Sequence, residues 1–193
     1  MKNYITLVVI MMLAGPALAG EETLLGGDLV SGGYGALVFK YGQVTGVDGL
    51  FVGAQGGWII NHTLVIGGGI YGLANQIESG SDECSYLGFG YGGLLLEFVV
   101  ASNKLVHFTV QGILGAGGIG SYTDKGCDLC EDRGDDAFFA LEPGANLMLN
   151  LHRHVRVGLG ASYIYVSGVN YEDLTDSDFR TATAQFIIKF GSF

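Results

Sequence analysis

The sequence predicts an all-β fold: an eight-stranded antiparallel transmembrane up-and-down β-barrel, preceded by a cleaved signal peptide. Three observations carry this expectation. The chain opens on an export signal. The remainder alternates apolar and polar residues with period two through eight segments. No uncharged apolar stretch after the signal approaches the roughly 18 residues of a membrane helix. An exported, apolar chain without such helices can satisfy its backbone hydrogen bonds inside lipid only as a closed barrel.

The export signal is "MKNYITLVVIMMLAGPALAG". Lys2 supplies the positive start, Ile5 to Leu13 is an apolar run broken only by Thr6, and "ALA" at 17–19 offers small residues for cleavage. The run is shorter than the roughly 20 residues that cross a bilayer as a helix. The expected organisation is a signal peptide over 1–19 and one barrel domain over 20–193.

The formal charge is -10, and loss of the single positive charge of Lys2 makes it -11. An acidic chain with no basic patch excludes nucleic-acid binding. Its mean hydropathy of +0.39 is high for a secreted soluble protein. There are 34 glycines, which suit a narrow, strongly coiled barrel wall.

The expected strands run over 32–44, 49–60, 63–77, 86–100, 104–122, 137–150, 155–168 and 178–193. In "VRVGLGASYIYVS", Val157, Leu159, Ala161, Tyr163 and Tyr165 share one face, and Arg156, Gly158, Gly160 and Ser162 share the other. In the sixth segment Phe139, Leu141, Ala145 and Leu147 oppose Glu142, Gly144 and Asn146. In the eighth, Ala182, Ala184, Phe186, Ile188 and Phe190 oppose Thr181, Thr183, Gln185 and Lys189. This is the apolar-out, polar-in repeat of a membrane barrel. "LGFGYGGLLLEFVV" resists one phase: its apolar set reads Leu87, Phe89, Tyr91 and then Leu94, Leu96, Phe98, Val100, so a glycine bulge is expected at Gly92-Gly93.

Connections at Asn61-His62, Ser102-Asn103 and 151–154 are short, whereas those at 78–85, 123–136 and 169–178 are longer and polar. The short connection at 45–48 lies on the long-loop side. This asymmetry places the long loops outside the cell.

On these phases Lys40, Gln55, Glu97, Gln111, Glu142, Arg156 and Lys189 face inward, with Arg180 added if the phase holds to the loop end. A barrel of eight strands is just wide enough to be filled by side chains. Charges in that dry space must be paired, so a network of Lys40, Glu97, Glu142, Arg156 and Lys189 is expected to plug the lumen. Two alternatives stay open: a narrow channel for small solutes or ions, and a secreted soluble lipocalin-like binding barrel.

Of 19 acidic residues, 14 fall in the outer loops: Asp48; Glu78, Asp82, Glu83; Asp124, Asp128, Glu131, Asp132, Asp135, Asp136; Glu172, Asp173, Asp176, Asp178. A solvated surface is the plain reading, with divalent cations at these oxygens as the functional one. The four histidines, His62, His107, His152 and His154, map to the short-turn rim, where no ligand is expected. Trp58, Tyr34 and Tyr163 are expected in an interfacial aromatic belt. "GAGGIG" at 115–120 lacks the phosphate-loop lysine, so no cofactor is expected.

The C-x-x-C pair Cys127 and Cys130 could be a redox pair, half a zinc site or a stapled loop. Placed in an outer loop it faces an oxidising exterior, as does Cys84. A disulfide among Cys84, Cys127 and Cys130 is therefore expected, with its pairing open, rather than a metal site.

With its signal, eight amphipathic segments and the ending "FIIKFGSF", the whole mature chain resembles the small eight-stranded outer-membrane barrels of the OmpA and OmpX class. "SYIYVSGVNYEDLTDSDF" with "KFGSF" also looks like uncharacterised bacterial outer-membrane barrel proteins. The resemblance implies a monomer in a bacterial outer membrane. Lipid, lipopolysaccharide and the barrel-assembly machinery would be its partners, with the terminal aromatic Phe193 as assembly signal. To bring Phe193 into the apolar phase of Phe186, Ile188 and Phe190, the strand is expected to shift register at Gly191-Ser192. Lipid A deacylases of this fold carry an H-x-S-N motif. The nearest stretch here, His107-Phe108-Thr109-Val110, has Thr for Ser and no Asn, so the expectation is no enzyme.

Overall fold

The computed structural model describes residues 30–77, 85–123, 136–169 and 174–193. The expected signal peptide and Cys84, Cys127 and Cys130 lie outside these residues, as do all the acidic loop residues except Asp48, Asp136, Asp176 and Asp178. No helix among the described residues is long and apolar enough to cross a membrane.

The described residues form eight strands: β1 (Ser31–Val44), β2 (Val47–Ile60), β3 (Leu64–Leu73), β4 (Ser85–Val100), β5 (Val106–Thr123), β6 (Asp136–His152), β7 (Val155–Ser167) and β8 (Thr181–Ser192). A four-residue helix, α1 (Asp176–Phe179), precedes β8. Each strand pairs antiparallel with its sequence neighbour, and β1 closes on β8 from Gly33↔Ser192 to Tyr41↔Ala184. Closure leaves no unpaired sheet edge.

β3 stops at Leu73, short of the expected 77, because the next residues leave the ladder. The Leu50 amide donates to Asn75 Oδ1 at 2.7 Å, and Asn75 Nδ2 donates to the Asp48 carbonyl at 2.9 Å. A side chain thus replaces the strand partner, and Ile77 folds back into the barrel mouth as a buried residue. β8 starts at Thr181 because 176–179 have turned into α1. In β6, Pro143 has no N–H to give, and the β6–β7 pairing skips Glu142 and Pro143 without losing register.

Two tight turns show how the hairpins close. Thr45 and Gly46 connect β1 to β2 with φ of 52° and 79°. Asn61 and His62 connect β2 to β3 with φ of 50° and 57°, and the Thr63 amide donates to the Ile60 carbonyl at 3.1 Å. Two successive left-handed residues match the twist of the flanking strands.

The expected glycine bulge is absent. β4 keeps one register against both neighbours, with Gly69↔Gly93 and Gly93↔Gly115 in line. Leu87, Phe89, Tyr91, Leu95, Glu97 and Val99 all point inward in a single phase. The glycines serve close wall packing instead. A Cβ on Gly67 would collide with the Gly56 carbonyl, and one on Gly115 with the Gly92 carbonyl.

The interior is stratified. Towards the long-loop rim it is apolar, built on Phe51, Phe89, Phe138, Phe179, Ile119 and Val166. Through the middle and towards the short-turn rim it carries the buried polar residues, with Ile59, Val65, Val99 and Met148 among them at the rim. The outer wall is apolar throughout: Leu94 is 72% exposed while Glu97, three residues on, is 0%. This inverts a soluble protein and fits a wall solvated by lipid.

Candidate functional site

The chemistry-bearing residues meet in the lumen, placed there by strand alternation. Lys40 of β1 reaches across to Glu142 of β6, its Nζ 2.6 and 2.7 Å from the two carboxylate oxygens. The Tyr91 hydroxyl donates to the same carboxylate at 2.7 Å and Ser162 at 2.5 Å. Nζ also sits 3.2 Å from the centre of the Tyr71 ring, a cation–π contact in a desolvated setting.

A second pair lies nearer the short-turn rim, where Lys189 of β8 donates to Glu97 of β4. The Tyr34 hydroxyl donates to the other oxygen of Glu97 at 2.5 Å. Amides join the two pairs: Tyr71 donates to Gln55 at 2.6 Å, and Gln55 donates to Tyr34 at 3.3 Å and Gln111 at 3.4 Å. Asn146 donates to Gln111 at 3.3 Å and accepts from Gln185 at 2.6 Å. All eight strands contribute to this network. Each buried carboxylate faces a lysine from another strand and a tyrosine hydroxyl, the arrangement that offsets the cost of burying charge.

The sequence-derived interior residues therefore fall as follows. Lys40, Gln55, Glu97, Gln111, Glu142 and Lys189 are buried in the lumen. Arg156 is half-buried, its guanidinium carbon 4.0 Å from the Phe193 ring centre. Arg180 is not luminal: it bonds Asp176 at 3.1 Å and lies over the outward Tyr165 ring at 4.2 Å.

Two expectations are corrected by geometry. Tyr34 does not join an interfacial belt; flanked by Gly33 and Gly35, it turns inward to Glu97, whereas Trp58 and Tyr163 are exposed on the outer wall. The register shift before Phe193 does not occur either. β8 pairs with β1 in one register through Ser192, so alternation carries Phe193 inward, its ring 6.2 Å from that of Tyr34.

Above the polar layer the lumen is closed by stacked rings. Phe89 lies parallel to Phe138 at 5.0 Å and to Phe179 at 5.3 Å, with Phe51 edge-on at 5.9 Å. Phe179 comes from α1, whose Asp178 carbonyl accepts from the Thr45 amide at 2.8 Å. Asp178 accepts from the Thr175 amide at 2.8 Å and hydroxyl at 2.9 Å. Those bonds, the backbone one foremost, hold its carboxyl below the usual carboxylate range. Phe179 escaped sequence reasoning, although Thr175-x-x-Asp178 is a helix-start signature that marks the turn carrying it.

At the short-turn rim a recess of about 10 Å³ remains, room for about one water. His107 lines it as a buried residue. His107 and Thr109 both point inward, and Thr109 accepts from Asn146 at 3.2 Å. They therefore do not form a nucleophile–base pair on the lipid-facing wall.

No protein-family model matches the chain, and no curated protein matches it. Solved structures do. Neisserial surface protein A is 10% identical, over 85% of this chain and 99% of that one, with a TM-score of 0.59. The N-terminal β-barrel domain of Pseudomonas aeruginosa OprF is 11% identical over 83% and 96%, with a TM-score of 0.56. Ail, the attachment invasion locus protein of Yersinia pestis, solved with the heparin analogue sucrose octasulfate, is 13% identical over 83% and 97%, with a TM-score of 0.51. These are small eight-stranded outer-membrane β-barrels. At such identities the likeness is one of fold, and this chain has that fold.

Proposed function

We propose that this protein is a monomeric integral barrel of a bacterial outer membrane, reached by signal-peptide-directed export. Its role is structural or one of surface interaction, with a plugged polar interior and acidic loops presented outside. The observation that carries this reading is the pairing of both buried carboxylates, Glu142 with Lys40 and Glu97 with Lys189, beneath a stack of phenylalanine rings. A conducting path would have to separate charges in a low-dielectric interior, at a cost of several kcal/mol for each ion left unpaired. The apolar outer wall argues for lipid as the solvent and against a secreted lipocalin-like barrel.

Outer-membrane lipid and lipopolysaccharide are the partners this wall fits, and the assembly machinery is the partner for Phe193. The acidic loops are proposed to meet divalent cations, and a disulfide among Cys84, Cys127 and Cys130 to staple them. None of this calls for an enzymatic role. The test is conductance across a planar bilayer by the purified, refolded protein. Silence is the expected result; reproducible single-channel steps would replace the plug with a narrow channel. Recovery in the soluble periplasmic fraction would sink the membrane reading.

A further inference from the structure

The recess at the short-turn mouth has a charge balance that the rest of the lumen does not share. Glu97 lines it, but its two oxygens are taken by Lys189 and Tyr34. Arg156 also lines it, half-buried, its guanidinium over the Phe193 ring, with no hydrogen bond or ion pair among the described residues. His107 lines it too; the residue is 1% exposed, and its Nδ1 has no hydrogen-bond partner there. One cation and one buried ring nitrogen are thus left over around a space the size of one oxygen atom. A half-buried cation whose nearby carboxylate, Glu97, is already bonded to Lys189 and Tyr34, and a buried polar atom without a partner, both cost stability. An anionic oxygen placed between them would relieve both.

We propose that the short-turn mouth binds a phosphate group through one anionic oxygen held by Arg156 and the Nδ1–H tautomer of His107. The planar guanidinium fork matches phosphate oxygens, and its contact with the Phe193 ring restricts where it sits. The space admits a single oxygen, so the rest of the group projects out of the mouth. On that rim Arg153, His152 and His154 are exposed, and Trp58 marks the near end of the apolar wall. The phosphate is therefore either a phospholipid head group at the membrane surface or a free phosphate. Only the head-group source rests on the membrane reading above.

The experiment is an NMR titration of the full chain, refolded in non-ionic maltoside micelles, with inorganic phosphate at constant ionic strength. Saturable shifts of the Arg156 Nε–H and His107 ring signals are expected. Arg156→Gln should weaken binding by about tenfold or more, the scale of one lost charge-assisted pair, while Arg153→Gln leaves it within about twofold. If Arg156→Gln fails to refold, Arg156→Lys keeps the charge and loses the fork, and binding should still weaken several-fold. In phosphatidylglycerol nanodiscs, loss of the response to added phosphate identifies the head group as occupant, and an unchanged response identifies free phosphate. Absence of any saturable shift in micelles, or equal binding by the Arg156 variant, would overturn the proposal. Heat-modifiable migration and conductance of the same sample report on the barrel and its plug separately.

Discussion

Lys40 and Glu142 project from strands on opposite sides of the barrel and meet in its interior, the lysine Nζ within 2.7 Å of both carboxylate oxygens. Neither side chain is reached by solvent beyond 1%. Removing one partner leaves the other charged and buried. Lys40→Met should therefore cost about 3–5 kcal/mol, and the double variant Lys40→Met, Glu142→Leu should recover much of that loss. Urea unfolding in micelles reads both. A single variant as stable as the parent would mean that water already reaches the pair.

Phe179 closes the stack from the other end. It is the residue of α1 buried in the barrel, with its ring parallel to Phe89. Phe179→Ala deletes a buried aromatic, which ordinarily costs about 3–5 kcal/mol. The site lies at a mouth where water or loop residues can fill the gap, so the loss should fall near the lower end. The same variant should remain silent in a planar bilayer, because the ion pairs below it are untouched. Current steps from it would place the barrier in the rings and not in the charges.

Strand existence and the phase of β6, β7 and β8 were legible because their two faces differ in polarity. Lys40, Glu97, Glu142 and Lys189 could be placed inside for the same reason. The long-loop half of β4 was not legible. There Leu87, Phe89 and Tyr91 point inward, and the outward positions are Gly88, Gly90 and Gly92. An apolar interior under glycine-lined wall reverses the assumption that the apolar face meets lipid. Tyr34, between Gly33 and Gly35, misleads in the same way. That Glu97 would take Lys189 and Tyr34, and Glu142 would take Lys40, depends on barrel stagger across the lumen, which no local pattern encodes. The recess at Arg156 and His107 is of the same kind, a product of three-dimensional placement.

The β1–β2 turn carries a β-branched residue in the left-handed region, Thr45 at φ 52°, before Gly46. Such a residue is strained there, whereas Asn adopts that conformation readily and Asn-Gly is the favoured pair for this turn. Thr45→Asn keeps the amide that donates to Asp178 and gives up the hydroxyl bond to the Val44 carbonyl. A gain of about 0.5–1 kcal/mol is expected in the urea midpoint. A loss instead would show that the hydroxyl bond outweighs the backbone strain.

Asp178 makes the docking of α1 sensitive to acid. Its bonds from Thr175 lower its carboxyl in the folded protein relative to the unfolded chain, where an aspartate titrates near about 3.9. A depressed folded value stabilises above the unfolded one, and that contribution disappears as pH falls through the folded value. The Phe179 cap should therefore be equally firm at neutral and mildly acidic pH and should loosen only below about pH 4. The Thr175 amide proton, followed by NMR against pH, should titrate with a midpoint below the ordinary aspartate value. In Asp178→Asn that titration should vanish, because the amide side chain carries no charge to lose. A midpoint at or above about 3.9 in the parent would mean that the Thr175 bonds do not favour the carboxylate, and the acid sensitivity of the cap would have to come from elsewhere.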